Sequence, residues 1–216
     1  MIIHEVSVSE FYSALKLAKQ KNSYGCFVTL NEEKEYNENK NFLIDNGVGG
    51  FSITKDGDLI SVFKNPELAG NNQEYKNLID IIMIVAIKKG AIKTDCYSDF
   101  LADVYMKYGF IPVGKVKFDI QYNKEWDTLK HGKPDVIALC KVNIPIDELI
   151  KYRNENLFVN YWQLKDKIEY FENYDCLLGF RDKVLNHIAN NNMTYNQSIN
   201  YVTNLNKRKD RVYEQC

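Results

Sequence analysis

The sequence predicts an α/β (α+β) fold, a β-sheet flanked by helices and followed by a mainly helical C-terminal extension. Three observations lead there. Strand-like and helix-like patterns alternate through residues 1–143. Two β-rich runs, 48–54 and 59–64, flank Asp56-Gly57, the chemistry of a tight hairpin, because glycine accepts positive φ without a steric penalty. Beyond Asn143 no strand pattern recurs, and apolar residues fall at helical spacing instead. The expected organisation is therefore an α/β domain over 1–143 and a helical extension over 144–216.

Taken in order, residues 2–8 form a short apolar, β-branched strand. Ser9 is placed as an N-cap, and Phe11, Leu15, Leu17 and Ala18 give one helical face to about residue 22. Residues 24–30 read as a second strand, the polar stretch 31–40 as a loop or exposed helical turn, and 42–44 as a strand start broken by Asp45-Asn46-Gly47. After the hairpin, Pro66 and residues 67–73 make a polar loop, and a long helix is predicted over 74–89, stopped by Gly90. A strand over 92–97, a helix over 99–108 ended by Gly109 and a strand over 110–119 follow. Residues 121–133 form a loop holding Trp126 and His131, and Pro134 opens a last strand over 136–142. In the extension, helices are expected over 147–153, 161–172, 179–190 and 196–206, with Asn190-Asn191-Asn192 as a stop and a basic tail over 207–211.

Composition removes several classes of function. With 45% hydrophobic and 26% charged residues the 216-residue chain is neither disordered nor low-complexity. Its 28 basic and 29 acidic groups give a net charge of −1, which argues against a nucleic-acid partner bound by phosphate neutralisation. The five cysteines, Cys26, Cys96, Cys140, Cys176 and Cys216, show no CxxC pair and no metal-ligand spacing, so no metal is expected. Cys96 and Cys140 read as small buried hydrophobes. No disulfide framework, no signal-peptide pattern at the N-terminus and no apolar run near the roughly 20 residues of a membrane span together predict a cytoplasmic protein without a membrane partner.

The most specific motif is Val104-Tyr105-Met106-Lys107-Tyr108-Gly109-Phe110-Ile111-Pro112-Val113. With Leu78-Ile79, Ala86, Gly90-Ala91 and Ile92 upstream, and with the order hairpin, long helix, strand, helix, strand, strand over 48–142, it resembles the GNAT N-acetyltransferase superfamily. Gly50-Phe51-Ser52-Ile53, residues 58–63, Asp95-Cys96 and Lys133-Pro134-Asp135-Val136 look most like a divergent GNAT-like group found in phages and mobile elements. The resemblance covers about residues 1–143. It implies a mixed sheet whose fourth and fifth strands part to hold the pantetheine arm of acetyl-CoA, with the pyrophosphate at the N-terminus of the third helix. It implies cofactor contacts at Phe63, Asn65, Gly70, Asn71, Asn72 and Ser98, and a catalytic Tyr105 that protonates the departing thiolate.

The sequence also departs from that family. Its glycine-rich phosphate loop falls here on Asn71, Gln73 and Tyr75, with only Gly70 nearby, and Glu74 adds a negative charge to the first helical turn. The family's Asn before the helical Tyr is Ser98, equally suited to cap that helix, and its Ala is Leu101. As bases for the amine, Asp95 at a strand end is the first candidate and Asp119 the second, while Trp126 and His131 lie in the loop that borders the acceptor site in such folds. His4 and His187 show no partners in the sequence. In the extension, Tyr161, Leu164, Ile168 and Phe171, and Val184, Leu185 and Ile188, recur at helical spacing, while Tyr161, Trp162, Tyr170, Phe171 and Tyr174 are rings of the kind enriched in interfaces. Two functions follow. One is acetyl transfer from acetyl-CoA to an amine acceptor, a small molecule or a protein. The other is an inactive scaffold of the same fold, encoded by a phage or mobile element, that engages a protein partner or itself through the C-terminal helices.

Overall fold

A computed structural model describes residues 1–205. In chain order the elements are β1 (Ile3–Glu5), α1 (Val8–Lys21), β2 (Lys40–Ile44), β3 (Gly49–Ile53), β4 (Leu59–Lys64), α2 (Pro66–Ala69), α3 (Leu78–Lys88), β5 (Lys93–Tyr97), α4 (Asp99–Met106), β6 (Phe110–Val116), α5 (Thr128–His131), β7 (Val136–Lys141), α6 (Ile146–Asn154), α7 (Tyr161–Leu164), α8 (Tyr174–Asn190) and α9 (Tyr195–Leu205). Strands and flanking helices make the expected α/β class. The predicted tail 207–211 and Cys216 lie outside the described residues. No described helix is long and apolar enough to cross a membrane.

The chain forms two compact units. Met1–Ala91 with Ile120–His131 make the first, and Ile92–Asp119 with the chain from Gly132 onward make the second. The segment that the sequence sets apart after Asn143 thus shares a unit with β5, β6 and β7.

In the first unit the sheet order is β1-β2-β3-β4, every ladder antiparallel. The hairpin of β3 and β4 closes as expected, with Gly57 at φ +84° and the Gly57 N–H donating to the Thr54 carbonyl at 3.0 Å. Helix α1 is capped two residues before the expected position. Ser7, not Ser9, caps it, because Glu10 stands three residues on and accepts from the Ser7 N–H at 3.0 Å, closing a capping box. Phe11, Leu15 and Ala18 face the core with Tyr36, Leu43 and Phe63, whereas Leu17, expected on that face, is exposed. Burying a side chain such as Phe11 or Leu15 contributes about 1.5–3 kcal/mol.

The strand expected over 24–30 does not form. Gly25–Phe27 is a 3₁₀ turn, with Gly25 packed so closely that a Cβ would lie 2.2 Å from the Lys19 carbonyl oxygen. The aromatic residues of this stretch join a ring cluster rather than a ladder. Phe27 meets Trp126 at 4.6 Å and His131 at 5.2 Å between centroids, and buried Asn123 donates to the Cys26 carbonyl at 2.7 Å. The helix predicted from residue 74 begins at Leu78, behind a separate 3₁₀ turn at Gln73–Tyr75.

In the second unit the order is β5-β7-β6, again antiparallel. Pro112 is tolerated because β6 is an edge strand. The helix expected over 161–172 stops early. After α7 and a 3₁₀ turn the chain runs along β6, where the Lys115 N–H donates to Glu169 at 2.9 Å and the Phe171 N–H to Lys115 at 2.8 Å. Covering that open edge outweighs continuing a helix. Helix α8 starts at Tyr174 rather than Gly179, capped by the Asn173 side chain, and buries Leu177, Val184 and Ile188 against β6 and β7.

Candidate active site

β4 is the last strand of its sheet, so one edge of its backbone has no strand partner in that sheet. Its inner edge is irregular. Gly50 pairs with Phe63 and Ser52 with Ile60, so Ser61 and Val62 together oppose the single residue Phe51. This is a β-bulge, which leaves one residue out of the ladder and bends the strand. Ser61 sits within it at φ +52°, a left-handed conformation that strains a non-glycine residue by about 1–3 kcal/mol. Its hydroxyl is tied to the Tyr36 hydroxyl at 2.8 Å. The sequence reading missed Ser61, since a serine between β-branched neighbours carries no local sign of positive φ.

The predicted cofactor contacts of this unit run on from β4. Phe63 is buried, and its ring lies where a side chain on Gly50 would stand, 2.6 Å from an ideal Cβ; only its backbone is left to face a ligand. Asn65 is buried as the N-cap of α2, its Oδ1 accepting from the Glu67 N–H at 3.1 Å and the Leu68 N–H at 3.2 Å. Gly70 ends α2 at φ +49°, ψ −141°, a conformation reserved for glycine. Asn71 is exposed, and Asn72 caps the 3₁₀ turn by accepting from the Glu74 N–H at 3.0 Å. Lys64 donates to the Tyr75 carbonyl at 3.1 Å. Asn77 supplies no side-chain cap to α3; its carbonyl accepts from the Asp80 N–H at 3.0 Å, and the Asp80 carboxylate adds a negative charge to that first turn.

The remaining predicted residues belong to the second unit. Tyr105 is buried on α4, its hydroxyl hydrogen-bonded to the Thr94 side chain, and burial holds its phenol protonated well above the usual range. Ser98 caps α4 by accepting from the Leu101 N–H at 3.4 Å, at the strained φ of +106°. Asp95 has its hydrogen-bond partner on α8. Successive side chains on a strand point to opposite faces; Thr94 turns to Tyr105, whereas Asp95 turns to α8, bonded to Tyr174 and facing the Arg181 guanidinium. Burial raises the Asp95 pKa, and Arg181 and Tyr174 oppose that rise. This carboxylate balances a buried arginine, and its charge also helps to raise the pKa of the Tyr105 phenol.

Of the other candidates, Trp126 is buried in the ring cluster of the first unit with His131 against it. His187 stacks on Tyr201 at 4.2 Å, His4 is exposed on β1 opposite Leu43, and Asp119 is half-buried after β6. Cys96 and Cys140 are buried as expected. No group of three or more metal-ligating side chains occurs among the described residues.

No family model matches the chain. No curated protein matches it. Among solved structures it is similar to Rv2747 from Mycobacterium tuberculosis, determined in complex with CoA and NLQ, at 10% identity and a TM-score of 0.41, over 66% of this chain and 100% of that one.

Proposed function

We propose that the chain is an acyl-CoA-dependent N-acyltransferase of GNAT type, acting on an amine. One observation supports this above the others, the strained bulge at Ser61 on the outermost strand of its sheet. A bulge re-aims backbone amides out of a ladder, and fixed amides beside an open strand edge suit an acyl carbonyl oxygen that gains charge during transfer. The residues present fit the thioester end of acyl-CoA at β4 and, less fully, its phosphate end. The N-terminus of α3, which has no side-chain cap, favours phosphate, while Asp80 in its first turn and Glu74 in the Asn72-capped turn oppose it. Bound acyl-CoA would supply an activated acyl group whose carbonyl carbon accepts the amine nitrogen as the bond to sulfur breaks. Tyr105 holds a proton at its phenol oxygen across the physiological range, which suits the donor role that the resemblance assigns to it.

A second reading, a scaffold of this fold without acyl transfer, is favoured by Glu74 and by the loss of the glycine loop. Thermal melts of the full chain with millimolar acetyl-CoA separate the two. Ligand bound only to the native state raises Tm by mass action, so the transferase reading expects a shift of several degrees and acetylation of a supplied amine. No shift and no acetylation would leave the scaffold.

A further inference from the structure

Around the start of α4 the second unit carries two carboxylates, each beside an aromatic ring and each holding a lysine ammonium. Asp99 is bonded by Lys165, which also lies 5.6 Å from the Trp162 ring centroid. Asp135 is bonded by Lys117 at 3.3 Å and by the Tyr170 hydroxyl, and Lys117 stands 3.8 Å over the Tyr170 ring. A carboxylate paired with a ring face is the arrangement that recognises an alkylammonium ion, through charge and cation–π attraction together. The carboxylates are held within the protein and these two ammonium groups lie outside, while a third, on buried Lys115, stands 4.4 Å over the Tyr170 ring and donates to the Lys165 carbonyl at 3.0 Å, so it stays in place. Asp135 and Asp99 are 14% and 22% exposed, whereas Lys117 and Lys165 are 75% and 40% exposed. A ligand arriving from solvent therefore displaces a flexible lysine and leaves the acidic and aromatic walls in place.

An independent feature points to a ligand here. The hydroxyl of Tyr161 is fully buried and makes no hydrogen bond among the described residues, although such a group normally has a partner. Asp99, Cys96, Asp135 and Tyr170 all act on it electrostatically, and its ring lies 6.3 Å from that of Trp162, so it sits beside this cluster. Ser98, with its strained backbone, joins the two sides by donating its N–H to the Asp135 carbonyl at 3.3 Å.

We propose that Asp99 with Trp162, and Asp135 with Tyr170, form a binding site for a primary alkylammonium group, the protonated form of the acceptor amine, with the Tyr161 hydroxyl as a further polar contact. Lys117 and Lys165 occupy this site in the free protein as internal stand-ins. The role of the bound amine as acceptor rests on the acyltransferase reading; the binding site does not.

The test is calorimetric titration of the full-length chain, without acyl-CoA, with 1,4-diaminobutane and with Nα-acetyl-lysine methylamide, against uncharged 1,4-butanediol. At least one amine binds saturably and the diol does not; which amine binds tells a free diamine from a lysine side chain as the source. Replacing both stand-ins (K117A with K165A) tightens binding several-fold, and Asp135→Asn weakens it by about tenfold or more. Tyr161→Phe weakens binding yet leaves Tm unchanged or higher, an outcome that a purely structural hydroxyl would not give. Absence of saturable amine binding in both the wild type and the double lysine variant overturns the proposal. Amine binding without acetyl transfer supports it while removing the acyltransferase reading.

Discussion

The hydroxyls of Tyr36 and Ser61 meet at 2.8 Å and join the 3₁₀ turn at Glu33–Tyr36 to the bulge of β4. That contact helps hold Ser61 at φ +52°. Tyr36→Phe should lower stability by about 1 kcal/mol, the usual worth of one such bond, and should shrink the acetyl-CoA thermal shift because the bulge loosens. Ser61→Gly keeps the backbone shape without strain and should be near neutral in denaturation. Ser61→Val, β-branched in a left-handed site, should lose about 2 kcal/mol. Equal stability of the glycine and valine variants would remove the strain from this account.

Tyr105 gives a second expectation. Its phenol is held by Thr94 and kept protonated by burial. Tyr105→Phe should cost no more than about 1 kcal/mol in stability, leave the acetyl-CoA shift intact and cut acetylation by at least about tenfold. Unchanged turnover removes Tyr105 from the chemistry. The effect of the raised pKa on stability has a definite sign. A phenol whose folded pKa lies above its ordinary value of 10 adds stability that is complete below pH 10 and is lost as pH rises beyond it. Tyr161 and Tyr195 are raised in the same direction, chiefly by burial. Tm should therefore hold below pH 10 and fall above it, and Tyr161→Phe should flatten that fall.

The elements with strong local chemistry were legible in the sequence. Asp56-Gly57 specified the hairpin, Gly109 the end of α4, and the apolar spacing of Phe11, Leu15 and Ala18 the buried face of α1. The misreadings share a cause, which is tertiary contact overriding local pattern. Residues 24–30 look like a strand because they are aromatic and β-branched, yet their rings are claimed by Trp126, about a hundred positions away. Residues 161–172 have helical spacing, but the exposed edge of β6 recruits 169–171. Among the candidate residues, the sequence names Tyr105 and Ser98 but does not show on which face of β5 Asp95 falls. Alternation along the strand settles that point only once Thr94 is seen against α4. The strain at Ser61 has no signature in a single sequence at all.

Lys141 offers a test of buried charge. It is buried on β7, donates to the Val142 carbonyl, and its pKa is pushed down to about 8 by desolvation. A depressed lysine pKa means that the ammonium opposes folding. The penalty is fully present at pH 7, shrinks as pH rises from about 8, and vanishes above the ordinary 10.5. Lys141→Met should accordingly stabilise the protein at pH 7, on the order of 2 kcal/mol, with the gain disappearing by pH 10.5. Urea denaturation at pH 7 and pH 10.5 reads both values. A destabilised variant at pH 7 would show that the hydrogen bond to Val142 outweighs desolvation.

The C-terminal helices give the last expectation, and it turns on Gly114. This residue of β6 lies under α8 so closely that a Cβ would fall 2.5 Å from Phe171 and 2.6 Å from Leu177. Neither neighbour can retreat cheaply, since Leu177 is fully buried and the Phe171 ring packs against the Phe180 ring at 4.9 Å between centroids. Gly114→Ala should therefore destabilise by about 1–3 kcal/mol through overpacking, although it touches neither Tyr105 nor Ser61. The same contacts forecast the behaviour of a chain cut after Asn143. Without α8, the faces of β6 and β7 that bury Leu177, Val184 and Ile188 lie bare, and removing several such side chains exceeds the few kcal/mol by which a domain is stable. Residues 1–143 expressed alone should be insoluble or should unfold without a cooperative transition, as circular dichroism melts would show. A soluble, cooperatively melting fragment would mean that β5, β6 and β7 hold their sheet without the helices, and that the segment after Asn143 is an appendage rather than half of a core.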